Sequence, residues 1–127
     1  MKLLLDTQAF LWFLLDDKRL GITARTAIEQ TEILYLSPAS HWEIAIKIAL
    51  GKYALPEPFT QFMERELANN SMTILPIEIS HTAQLTTLPF HHRDPFDRLI
   101  IAQALAEKMP VISIDSQFDA YGVERVW

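Results

Sequence analysis

The sequence predicts a three-layer α/β fold, with a central, mostly parallel sheet and helices on both faces. Short apolar runs that read as strands alternate with longer helical stretches along the whole chain. Four acids, Asp6, Glu43, Asp97 and Asp115, stand where a strand hands over to a helix or one turn into a helix. In an open parallel sheet the C-terminal ends of the strands share one edge, where ligands bind. With 127 residues, half of them hydrophobic, the chain reads as one domain spanning 1–127. A chain of that size buries roughly 68–70% of its unfolded surface.

Met1–Leu5 is an apolar run with the look of a buried strand, and Thr7–Leu15 a helix apolar on most sides. Asp16–Gly21 reads as a turn, Thr23–Gln30 as a polar helix and Ile33–Leu36 as the second strand. Ser37-Pro38 opens the next helix with an N-cap and a first-turn proline, and Gly51 closes it. Pro56 and Pro58 bracket a loop before a helix at Phe59–Asn69. Met72–Leu75 is the third strand, ended by Pro76, and Ser80 is expected to cap a short helix to Thr86. Pro89–Arg93 reads as a polar loop, and Asp94-Pro95 starts a long helix through Lys108. Val111–Ile114 is the fourth strand, Ser116–Tyr121 a helical turn and Val123–Val126 a last edge strand.

Composition excludes several classes of function. Without cysteine there are no disulfides and no thiolate metal sites, which fits a reducing, cytoplasmic setting. Asp6 and Gln8 interrupt the apolar N-terminus and no small-residue cleavage site follows, so this segment reads as strand plus helix rather than a signal peptide. No apolar run approaches the ~18 residues of a membrane span. Gly21, Gly51 and Gly122 form neither a P-loop nor a dinucleotide fingerprint, and no G-x-S-x-G elbow is present. The net charge of −5 argues against a general nucleic-acid coat. A metallonuclease escapes that objection, because bound divalent ions would face the phosphate.

Each of the four acids has an ordinary structural role open to it. Asp6 and Asp115 suit N-caps worth ~1 kcal/mol. Asp97 complements the helix dipole by ~0.3–1 kcal/mol. Glu43 and Lys47 form an i,i+4 pair worth ~0.2–0.5 kcal/mol. Their joint placement says more. If the strand order reverses beside the first strand, the first and fourth strands are neighbours and Asp6 and Asp115 meet at the switch-point crevice. A cluster of that kind repels itself unless it holds hard cations, and Mg²⁺ or Mn²⁺ is the usual occupant of an all-oxygen site. The residues therefore read first as those of a metal-dependent enzyme acting on phosphates.

The stretches LLLDTQAFLWFL, SPASHWEIAIKIALGKY and HHRDPFDRLIIAQALAEKMPVISIDSQFDAYGV, in that order, resemble the PIN-domain family. They are most similar to its VapC-type toxins of bacterial toxin–antitoxin pairs, over essentially the whole chain. The resemblance implies a Mg²⁺- or Mn²⁺-dependent endoribonuclease, a homodimer and inhibition by a cognate, VapB-like antitoxin. By position it assigns the catalytic and metal-binding roles to Asp6, Glu43, Asp97 and Asp115. Of the two acids in DPFD, Asp97 matches the family acid and Asp94 is assigned mainly to capping. Thr7, Ser40 and Ser113 match a hydroxyl often found near the acids, with capping or strand-end bonding as their ordinary use.

The surrounding residues carry weaker signals. His91, His92 and Arg93 read as a solvated polar loop, with neutralisation of substrate phosphates as the sharper alternative. Arg98 and Lys47 read as ion-pairing partners. His41 and His81 show no metal-ligand spacing. Trp12, Phe13 and Trp42 are read as core before they are read as a partner groove. A receiver-like phospho-acceptor domain would want paired acids after the first strand and an acceptor after the third, where this chain has Asp6 alone and Leu75-Pro76-Ile77. A non-catalytic module of the same fold would not need the full acidic set.

Overall fold

The computed structural model describes residues 1–127. Its strands are β1 (Lys2–Leu5), β2 (Ile33–Leu36), β3 (Met72–Ile74), β4 (Val111–Ile112) and β5 (Arg125–Val126). Six α-helices run between them: α1 (Thr7–Leu14), α2 (Ile22–Gln30), α3 (Pro38–Ala49), α4 (Phe59–Asn69), α5 (Ile79–Leu85) and α6 (Pro95–Glu107). A 3₁₀ segment, Ser116–Tyr121, precedes β5. No helix is long and apolar enough to cross a membrane.

The five strands form one sheet in the order β3-β2-β1-β4-β5, and every pairing is parallel. The order reverses at β1, which lies between β2 and β4. Leu5 is level with Leu36 on one side and Ile112 on the other. Asp6, Ser37 and Ser113 follow that row, so the ends of three strands open at one edge. The sheet is covered on both faces because side chains alternate along a strand. Leu3 and Leu5 pack with Phe10, Leu11, Ile28, Ile44 and Phe62 from α1 to α4. Leu4 points the other way, against Ile100, Ile101 and Ala104 of α6 and Phe118.

Local signals set the starts of the helices that face this edge. Asp6 accepts the Ala9 N–H at 2.8 Å, Ser37 accepts that of Ala39 at 3.1 Å and Asp94 accepts that of Phe96 at 2.8 Å. Such caps contribute about 1 kcal/mol each, so they decide where a helix begins more than whether it forms. Gly51, with φ +75°, takes the left-handed position just beyond α3.

Several boundaries differ from the sequence reading, the last strand among them: β5 begins at Arg125 rather than Val123. β4 stops at Ile112 because β1 has ended at its side, where Asp6 turns into α1. β3 stops at Ile74, one residue before Leu75. The cap of α5 is Glu78, and Ser80 lies inside the first turn. His81 supplies the other half of a capping box, its Nδ1 accepting the Glu78 N–H at 3.0 Å, and this reciprocal pair outcompetes one serine hydroxyl.

Candidate metal centre

Four elements deliver the four acids to one place. Asp6 ends β1, Glu43 lies on the second turn of α3, Asp97 on the first turn of α6, and Asp115 caps the 3₁₀ segment after β4. All four line a cavity of about 170 Å³, together with Thr7, Gln8, Lys47, Tyr53 and Ile114. Lys47 is the one basic side chain in that lining. It pairs with Glu43 at 3.0 Å, and its ammonium lies 5.2 Å from the centre of the Tyr53 ring.

Two of the carboxylates are held above their usual range. Asp6 is pushed up to about 6, chiefly by burial. Hydrogen bonds from Ser113 and from the Ala9 N–H pull it back, and the charges of Asp115 and Glu43 raise it further. Asp97 is pushed up to about 7, again chiefly by burial, then by the charges of Asp94 and Asp6. Two acids of the four thus hold their protons well above the usual carboxylate range unless a cation replaces them. An all-oxygen, multiply anionic donor set with one lysine fits a small hard divalent ion such as Mg²⁺ or Mn²⁺.

The neighbouring residues support the site, some as the sequence suggests and Arg98 otherwise. Thr7 donates to the Ser40 hydroxyl at 3.0 Å, tying α1 to α3 below the cavity. The Ser113 hydroxyl accepts the Asp115 N–H at 3.0 Å while bonding Asp6, so it joins the two acids as well as closing the strand. Asp94 accepts N–H groups from Phe96 and Asp97, a cap in full use. Arg98 pairs with no acid. It is buried and donates to the carbonyls of Pro89 and Leu88 at 2.7 and 3.1 Å, which pins the loop ahead of α6.

His92 is the residue that the sequence does not reveal. The segment His91–Arg93 reads as solvated, yet the His92 ring is buried. Its Nε2 lies 2.8 Å from Asp115 Oδ2 and 3.2 Å from Asp97 Oδ2. A polar loop carries no periodicity from which burial can be read. The nearest signal was its place two residues before the Asp94 cap.

Trp12, Leu11, Leu15, Tyr53 and Leu55 line a second cavity of about 230 Å³. Gln8 and Tyr53 line both cavities, so the two are neighbours. Trp12 is buried in the core as well, whereas Trp42 lies outside this lining, exposed and edge-on to Phe96. A single groove built from Trp12, Phe13 and Trp42 is therefore not formed.

An open parallel sheet with carboxylates gathered at its switch point is an arrangement suited to a hard divalent ion, and similarity to known proteins places it in a family. Residues 3–124 match the PIN domain model, and the chain belongs to the PIN domain family. No curated protein matches the chain in sequence. Among solved structures it is similar to a chain of VapBC2 from Rickettsia felis, bound to a DNA fragment from their promoter, with TM-score 0.69 and 13% identity over 100% of both chains. It is also similar to VapBC-1 from nontypeable Haemophilus influenzae, with TM-score 0.69 and 18% identity over 98% of this chain and 96% of that one. FitAcB from Neisseria gonorrhoeae gives TM-score 0.63 and 20% identity over 97% and 95%. Family membership sets the receiver-like reading aside.

Proposed function

We propose that this chain is a Mg²⁺- or Mn²⁺-dependent endoribonuclease, the toxin of a toxin–antitoxin pair, working as one cytoplasmic domain within a homodimer. The observation that carries the reading is the convergence of Asp6, Glu43, Asp97 and Asp115 on one cavity with a single lysine beside them. Asp6, Glu43 and Asp97 would hold the metal, and Asp115 a second ion or its water. A bound divalent pair supplies an activated water and neutralises charge at the scissile phosphate. Around it, Lys47 fixes one oxygen of Glu43, Ser113 links Asp6 to the Asp115 backbone, and Asp115 is anchored by the Gln117 N–H at 2.9 Å. The complete acidic set favours catalysis over a silent binding module.

The test is cleavage of a mixed RNA pool in Mg²⁺ beside the same reaction in excess chelator, with melting temperature followed in both. Metal-dependent cleavage and a higher melting point with Mn²⁺ are expected. Ligand linkage would add ~2.7 kcal/mol at a hundredfold excess over Kd. Identical melting in Mn²⁺ and chelator would remove the metal from the assignment.

The likeness to VapBC and FitAcB supports an antitoxin partner. The apolar cavity under Trp12 and Leu15 opens beside the acids, so one antitoxin segment could fill it and cover the carboxylates, in the manner of a peptide in a groove. The complex should be more stable and less active than the free chain. Full nuclease activity in a saturated complex with the product of the neighbouring gene would refute this part.

A further inference from the structure

His92 Nε2, Asp97 Oδ2 and Asp115 Oδ2 lie within 4.8 Å of one another, a spacing that would suit a mixed nitrogen and oxygen metal site. The other face of the ring argues otherwise. His92 Nδ1 accepts the Asp94 N–H at 3.2 Å. A neutral imidazole carries one proton, and with the Nδ1 lone pair engaged that proton resides on Nε2. A metal-bound histidine needs the reverse: a free lone pair at the ligating nitrogen and a proton donated by the other.

Neither partner can turn away cheaply. Asp94 starts α6, where Pro95 follows it and its own carboxylate caps Phe96 and Asp97, so its N–H direction is set by the helix. The His92 backbone N–H donates to the Tyr121 hydroxyl at 2.7 Å, and the ring lies edge-on to Phe118. Moving the proton to Nδ1 would set it against the Asp94 N–H. What Nε2 presents to the acids is a hydrogen.

We propose that His92 is a positioning residue, which donates from Nε2 to Asp115, with Asp97 Oδ2 3.2 Å from the same nitrogen, and which stands outside the metal site and does not ligate the ion. The inference rests on the metal-dependent reading above. Its effect is to fix the Asp115 carboxylate beside Asp97, which comes from a different element, leaving the other lone pairs of Asp115 for the cavity. With Gln117 N–H on Asp115 Oδ1 and His92 on Oδ2, that carboxylate is held from both sides.

The test combines ring-nitrogen NMR of wild-type protein, in chelator and in saturating Mg²⁺, with pulsed EPR of the Mn²⁺ form and two substitutions. Nitrogen shifts should report the Nε2–H tautomer with and without Mg²⁺, and Mn²⁺ should show no directly bound imidazole nitrogen. His92→Phe, which keeps the bulk and loses the donor, should weaken Mn²⁺ binding and lower kcat by roughly 10–100-fold, the range seen when an outer partner of a metal ligand is removed. His92→Gln, with an amide N–H of similar reach, should recover most of both. An Nδ1–H tautomer or a manganese-bound nitrogen would overturn the proposal, as would a Phe variant with wild-type affinity and rate. Wild-type protein that binds no Mn²⁺ would overturn the metal reading itself, a result distinct from these. The spectroscopic arms need no variant, so poor folding of either substitution leaves the proposal exposed to refutation.

Discussion

Two buried histidines, one toward each end of α6, are built alike and sit in different surroundings. His81 accepts the Glu78 N–H through Nδ1 at the start of α5 and faces Glu107, the last residue of α6, through Nε2 at 2.9 Å. His92 accepts the Asp94 N–H through Nδ1 at the start of α6 and faces Asp115 through Nε2 at 2.8 Å. In both, a ring two or three residues from a helix start accepts a backbone N–H and offers its other nitrogen to a carboxylate distant in sequence. His81 meets one half-exposed acid and serves to fasten α5 to α6. His92 meets two, which Asp6 and Glu43 already crowd. The local device is the same, and the surrounding charge decides whether it braces the fold or shapes a site.

Substitution can break this comparison at its acidic end. Asp97→Asn should reduce RNA cleavage well beyond the ~10–100-fold attached to outer residues, and should weaken Mn²⁺ binding, because a neutral amide is a poor ligand for a hard cation. In chelator the same variant should be as stable as wild type or more so, since burial and like charge oppose the ionised carboxyl. Cleavage assays beside chemical denaturation check both halves. A variant that is destabilised and still cuts would return Asp97 to the role of a helix-start charge.

The other histidine should respond in the opposite sense. His81→Phe fills the space and leaves the Glu78 N–H without its acceptor, a loss of about 1–3 kcal/mol. Cleavage per folded molecule and Mn²⁺ affinity should stay at wild-type values. A large fall in metal affinity here would mean that the two ends of α6 are coupled and the contrast is false.

Stability against pH sharpens the same contrast without mutation. Asp6 and Asp97, raised to about 6 and about 7, keep protons in the folded state that the unfolded chain has released above about 3.8. Metal-free stability should therefore be fullest near pH 4 and fall as pH rises through 7. Saturating Mg²⁺ should flatten that fall by keeping both groups ionised. Asp17 and Asp119, lowered mainly by hydrogen bonds from Arg19 and Arg125, act in a separate window: what they contribute is lost as pH drops below about 3.8. Denaturation in chelator that is flat between pH 4 and 7 would contradict the raised values.

The smallest effect is expected at Asp94. Asparagine caps a helix about as well as aspartate, and the backbone N–H offered to His92 is unchanged. Asp94→Asn should therefore alter stability by no more than a few tenths of a kcal/mol and leave cleavage largely intact. Loss of cleavage with the fold preserved would bring Asp94 into the metal site.

The caps at Asp6, Ser37 and Asp94, the glycine that ends α3 and the apolar run of β1 were legible in the sequence, because each depends on the chemistry of a few consecutive residues. So was the position of the four acids at strand ends and helix starts, and with it the expectation that they converge. Tertiary structure alone decided the rest. β4 is short because β1 leaves its side at Asp6, and Arg98 binds carbonyls because loop 88–90 folds over it. Ser80 loses the cap of α5 to a ring steadied by Glu107, 26 residues further on. His92 enters the acidic cluster because Tyr121 and Phe118, nearly 30 residues away, close over the loop that holds it. Partners at such separations leave no mark on local propensity or periodicity, and they meet only when the sheet order is set.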